Sequence, residues 1–89
     1  MEPTQTGDDL SREDNIFIDM CEELDYATGQ YGPLHSAHEA YAVILEELDE
    51  FKAEVWKKDK DRNIPNMRRE LIQIGAMCAR AIIDLELED

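Results

Sequence analysis

Residues 67–85, MRRELIQIGAMCARAIIDL, have helical periodicity and are apolar on two nearly opposite sides. At about 100° per residue, Met67, Leu71, Ile74, Cys78, Ala81 and Leu85 fall in one stripe, and Ile72, Ala76, Ala79 and Ile83 fill the far side. A helix of this kind needs cover all round. It is not a membrane span, because it carries Gln73, Arg80 and Asp84 and falls short of the ~20 apolar residues a bilayer requires. Only two other segments have helical periodicity, so one copy of the chain cannot enclose it. The expected architecture is all-α, a three-helix chain forming a four-helix-bundle-type core completed by oligomerisation, as a homodimer or homotetramer. The alternative is a monomeric three-helix bundle with an Ala-rich, weakly apolar outer face.

The remaining segments follow from their punctuation. Residues 1–10, MEPTQTGDDL, are polar, acidic and aperiodic and read as a tail; residues 11–89 read as one helical domain. Ser11 has the position of an N-cap, and Ile16, Phe17, Met20, Cys21 and Leu24 recur at helical spacing up to a stop near Ala27. Gly29, Gly32 and Pro33 form the break. Ser36 and Glu39 have capping-box spacing and open a second helix expected to reach Lys58. On it Tyr41, Ile44, Leu45, Leu48, Phe51 and Val55 share one stripe, with Glu46, Glu47, Glu50 and Glu54 on the flank and far side. A polar stretch, KKDKDRNIPN, then leads into the third helix, from about Pro65 to Leu85.

Composition decides between partner classes. The chain has 22 acidic against 9 basic residues, a net charge of −13, which argues against nucleic acid or an anionic membrane and suits divalent cations. A chain of 89 residues is also marginal alone, which again favours self-association. Cys21 and Cys78 have no C-x-x-C pairing and no signal peptide opens the chain; reduced core thiols in a cytoplasmic protein are the expectation.

The acids are not spread evenly. Glu46-Glu47-Leu48-Asp49-Glu50 crowds like charges at i,i+3 and i,i+4 spacing, each pair costing a helix roughly 0.2–0.5 kcal/mol unless a cation offsets them. Glu70, on the next helix, lies within roughly 40° of Ile74 on the wheel, where an unpaired carboxylate is costly to bury. Together these acids read as two walls of a metal site. The plain alternative is a solvated acidic face, with Glu70 paired to an Arg or exposed in the first helical turn. Six of the nine bases, including Lys57, Arg68 and Arg69, cluster from the end of the second helix to the start of the third, an arrangement that suits phosphate and equally suits helix-dipole complementarity. His38, beside His35 at the helix start, is a candidate nucleotide contact, and Tyr31, Phe17 and Trp56 are aromatics able to stack on a base.

The stretches HSAHEAYAVILEELDEFKAEV and MRRELIQIGAMCARAIIDL resemble the MazG-like all-α nucleotide pyrophosphohydrolases, relatives of the dimeric dUTPases, over about residues 15 to 86. That family carries E-E-x-x-E on one helix and E-x-x-D on the next. The resemblance implies Mg²⁺, with Mn²⁺ as an alternative, bound by these acids, and hydrolysis of a nucleoside triphosphate to monophosphate and pyrophosphate. Glu46, Glu47 and Glu50 match the first motif and Glu70 opens the second. Gln73 stands where the family has Asp, and its amide oxygen can ligate a hard cation but brings no charge. The implied roles are metal binding for Glu47, Glu50, Glu70 and Gln73, general base for Glu46, and substrate binding for Lys57, Arg68, Arg69 and His38. A MazG-like helical module that is catalytically weak or inactive is the alternative that Gln73 keeps open.

Overall fold

The computed structural model describes residues 11–88, whose elements are three α-helices, α1 (Arg12–Gln30), α2 (Ala37–Val55) and α3 (Ile64–Asp84), and a short 3-10 turn at Asp59–Asp61. The acidic tail expected over residues 1–10 lies outside the described residues. No strand is present among them, and the all-α class read from the periodicity is the observed one.

Local chemistry starts each helix. Ser11 accepts from the Asp14 amide at 3.0 Å, Ser36 from the Glu39 amide at 3.0 Å, and Asn63 from the Asn66 amide at 3.0 Å, so each N-terminus satisfies one of its orphan donors. The Glu39 carboxylate reaches back to the His35 amide at 2.6 Å, one residue beyond the reciprocal partner of a capping box. Helix ends were harder to read. α1 continues past Ala27 to Gln30, because Gly29 has room on all sides and the helix closes only at Tyr31, whose amide donates to Ala27 O at 2.9 Å. α2 stops at Val55 rather than Lys58, because Arg62 folds back and donates to the Val55 carbonyl through Nε at 3.0 Å and Nη2 at 2.7 Å.

The packing is a layer rather than a closed bundle. α3 lies in the middle and packs against both α1 and α2, which do not pack against each other. The radius of gyration is 15.7 Å with extents of 48 × 40 × 24 Å, against about 12 Å for a compact domain of this length. The buried set is correspondingly small in volume: Ala27, Leu34, Ala40, Ile72, Ala76, Met77 and Ala81. On the α2 side, Leu34, Ala40 and Ala81 pack with Val43, Ile44 and Leu85. On the α1 side, Gly75 admits the Met20 side chain so closely that a Cβ at that position would stand 2.7 Å from Met20 Cε. A glycine in a helix interior costs about 1 kcal/mol in propensity, and here it allows the close approach of α1.

Three expectations are corrected in the single chain. The inward face of α2 is not the centre of its apolar stripe: Tyr41, Leu45 and Leu48 are exposed, while Glu47 is half-buried and Glu54 buried. Glu54 leaves the acidic flank because it accepts from the Asn63 amide at 2.8 Å and from Lys57 Nζ at 3.1 Å, which ties the end of α2 to the start of α3. That amide bond, then Lys57, hold its carboxyl below the usual range. Cys21 and Cys78 are exposed rather than core, and α3 keeps an open stripe of Leu71, Cys78 and Ile82, because α1 and α2 cover only two of its sides.

The α1–α2 loop is held to α3 by a polar staple. Arg80, only 5 % exposed, donates through Nη2 to the carbonyls of Tyr31, at 3.2 Å, and Gly32, and its Nε lies 3.3 Å from Asp84. Asp84 in turn accepts from the Leu34 amide at 2.8 Å. Arg80 and Asp84 thus partner each other, and the Tyr31 and Gly32 carbonyls and the Leu34 amide of the loop are satisfied.

Candidate metal centre

The rotation of α2 toward its acidic flank is what builds the site. Glu47 and Glu50, three residues apart, share one side of that helix, and Glu70 projects from the first half of α3 toward them. One carboxylate oxygen from each of Glu47, Glu50 and Glu70 lies within 4.8 Å of the others. Glu50 is exposed, whereas Glu47 and Glu70 are half-buried. Glu47 Oε2 and Glu70 Oε2 are both sealed from solvent with no hydrogen-bond donor.

Such an arrangement is unfavourable as it stands. Burial raises the Glu47 carboxyl above its usual value of 4.5, and the charges of Glu50, Glu70, Glu46 and Glu23 raise it further. Burial likewise raises Glu70, and the close approach of the Glu50 carboxylate raises it further; Arg69 acts in the opposite direction. A hard divalent cation answers both problems at once, since it supplies the orphaned oxygens with a partner and cancels the repulsion. The donors are all carboxylate oxygens, with no His or Cys among them, a set suited to hard divalent cations as a class.

The same shifts set a pH dependence for the metal-free protein. A group whose pKa is raised on folding stabilises fully below its unfolded value, here about 4.5, and loses that contribution as pH rises through the raised folded value. The difference in melting temperature between Glu70→Gln and the parent, measured in chelator, is therefore expected to be small near pH 4.5 and to widen toward pH 8. A difference that stayed constant over this range would show that Glu70 is not strained.

Beside the carboxylates, between α1, the α1–α2 loop, α2 and α3, is a cavity of about 580 Å³ that shares Glu47 with them. Glu46 and Gln73 line this cavity and are not part of the three-carboxylate group. Tyr31, His35 and Arg80 also line it. The bases named from sequence are placed elsewhere: Lys57 binds Glu54 at 3.1 Å, Arg68 binds Asp19 at 2.6 Å, and Arg69 donates to Asn66 Oδ1 at 2.8 Å. Arg68 and Arg69 do share a shallow groove with Glu22 and Glu23, on the α1 side of α3. His38 is exposed at the start of α2, while its neighbour His35 reaches the cavity. Phe17 and Trp56 are exposed away from the cavity, and Tyr31 is the only one of the three candidate stacking residues that lines it. Sequence reasoning gave Tyr26 and Arg80 no part in a site. The available signal for Arg80 is an arginine between two alanines in the apolar second half of α3, one turn before Asp84.

Comparison of the chain with protein-family models, with curated proteins and with solved structures finds no match in any of the three.

Proposed function

We propose that this chain is a Mg²⁺-dependent nucleoside triphosphate pyrophosphohydrolase of the MazG-like type. The observation that carries the reading is the convergence of Glu47, Glu50 and Glu70, with two sealed, unpartnered oxygens, beside a small-molecule-sized cavity that Glu47 also lines. Glu47, Glu50 and Glu70 would hold the cation. When bound, it supplies charge neutralisation at the phosphates and the leaving pyrophosphate. Glu46, on the same helix and on the cavity wall, would orient the attacking water and accept its proton as the water oxygen bonds to the α-phosphorus and the bond to the leaving pyrophosphate breaks. Gln73, on the same wall one helical turn from Glu70, is within the reach of the cavity's contents. The phosphate-binding role of Lys57, Arg68 and Arg69 requires their present partners to be exchanged for substrate. The second reading, a helical module with little or no turnover, is favoured by the uncharged Gln73 and by the engagement of those bases within the protein.

The decisive assay incubates the purified chain with a panel of ribo- and deoxyribonucleoside triphosphates and Mg²⁺ and measures pyrophosphate. Release is the expected outcome; no turnover of any substrate would leave only the non-enzymatic reading.

The proposed enzyme is a homo-oligomer. On the helical wheels Phe17 and Cys21 of α1, Tyr41, Leu45 and Leu48 of α2, and Leu71, Cys78 and Ile82 of α3 lie on the side of the layer away from the cavity, all of them exposed. A second copy would cover this face and supply the missing layer of a bundle. Sedimentation is expected to give a dimer or tetramer, with Leu71→Glu shifting the chain toward monomer by destabilising the interface about 2 kcal/mol or more. A parent chain that sediments as a monomer at high concentration would refute the assembly.

A further inference from the structure

We propose that the cavity beside the three carboxylates receives the nucleoside part of the nucleotide, and prefers a base with an exocyclic amino group, cytosine or adenine, over its keto counterpart. Gln73 is the residue we assign to reading the base edge. The inference rests on the hydrolase reading for its ligand class, and on the cavity itself for the preference. At about 580 Å³ the cavity falls in the usual range for small-molecule sites. Because Glu47 belongs both to the cavity wall and to the carboxylate group, a nucleoside lodged there directs its phosphates at the glutamates.

The walls supply what a base requires. Tyr26 and Tyr31 line the cavity yet are 59 % and 63 % exposed; rings left uncovered at a cavity rim are available to stack on a base. Leu34, Val43 and Met77 form the apolar part.

Preference comes from the polar groups. Gln73 is half-buried in the wall, and its amide has no hydrogen-bond partner among the described residues. An amide offers an acceptor and a donor side by side, which matches an amino group next to a ring nitrogen, as in cytosine and adenine. It can also pair with a keto base, so it does not discriminate alone. The carboxylate of Glu23, half-buried on the α1 side of the same cavity, does, since an ionised carboxylate only accepts. The second hydrogen of an amino group satisfies it, whereas a keto oxygen sets lone pair against lone pair. Arg80, the buried cation of the wall, is held to the carbonyls of Tyr31 and Gly32 and to Asp84, and so is not free to turn toward a keto oxygen. An aspartate at position 73 would add one more pure acceptor to a wall that already carries several. The glutamine supplies the missing donor.

Nucleoside binding without metal tests this. The full chain is titrated in chelator with cytidine, uridine, adenosine and inosine, following the side-chain amide of Gln73 and the ring of Tyr31 by NMR. Cytidine is expected to bind about tenfold more tightly than uridine, and adenosine than inosine, the worth of roughly one net hydrogen bond. Glu23→Gln should remove the preference, because an amide can also donate to a keto oxygen, and Gln73→Leu and Tyr31→Ala should each weaken all four nucleosides together. Equal binding within each pair, binding of none, or shifts confined to residues outside the cavity would overturn the proposal. No cation or turnover enters the measurement, so its failure is separate from failure of the pyrophosphate assay. An inert enzyme that still prefers cytidine would overturn the hydrolase reading alone.

Discussion

Glu70→Gln is expected to lower pyrophosphate release by about 100-fold or more, and yet to raise the melting temperature of the metal-free protein. Both effects have one cause. Substitutions around metal ligands commonly cost 10–100-fold in affinity or activity, and a group offered directly to the cation should lie at or beyond the upper end. Without the cation, Glu70 contributes a sealed, unpartnered oxygen facing Glu47 and Glu50. An unsatisfied buried polar atom costs about 1–3 kcal/mol, and with the site open at Glu50 the lower end applies. Removing about 1 kcal/mol of strain raises the melting temperature of a domain this size by about 4–8 °C. In millimolar Mg²⁺ the order reverses, because the parent gains from binding and the variant does not. Glu50→Gln should abolish turnover in the same way with a smaller gain in metal-free stability, since Glu50 is exposed. The measurements are a pyrophosphate assay and thermal melts with and without Mg²⁺. Parent-like turnover in both variants, or a parent melt that Mg²⁺ leaves unmoved, would remove the metal site.

Arg80→Leu is expected to be the most destabilising single substitution in the chain, by about 3 kcal/mol or more, enough to lower the melting temperature by over ~10 °C. Arg80 is nearly sealed, and its loss leaves Asp84 without its counter-charge and the carbonyls of Tyr31 and Gly32 without their donor. The loop they belong to forms the outer wall of the cavity, so ligand binding should weaken along with stability. Asp84→Asn is the informative control. Its remaining carbonyl oxygen can still accept from the Leu34 amide, so the cost should be clearly smaller. An Arg80→Leu melt indistinguishable from that of the parent would show that the staple contributes nothing to stability.

Part of this architecture could be read directly from residue spacing. The three helices, their N-caps at Ser11 and Ser36 and the break at Gly32-Pro33 depend on contacts within a few residues, which a sequence displays. The meeting of Glu47 and Glu50 with Glu70 does not, since it joins residues twenty or more apart on two helices. Helix C-termini were less legible: α2 ends where Arg62, from beyond the turn, caps the Val55 carbonyl, and no local signal announces that contact. Glu54 looked like another member of the acidic flank, because its partner, the Asn63 amide, lies nine residues away across the turn.

By itself the sequence determined the helix class and the starts of the helices, because periodicity and capping act over one or two turns. Only the tertiary structure decided how α2 is turned about its axis. The centre of its apolar stripe and the face it presents to α3 differ by roughly 75° at 100° per residue. That rotation leaves Tyr41, Leu45 and Leu48 in the open, and carries Glu47 inward to meet Glu70. Small residues, Ala40 on α2 and Ala76 and Ala81 on α3, fill the helix layer beside Ile72 and Met77. Close packing of small side chains outweighs burial of the largest apolar ones there, and the rotational setting of a helix follows from such contacts with its neighbour, which no stretch of its own sequence contains.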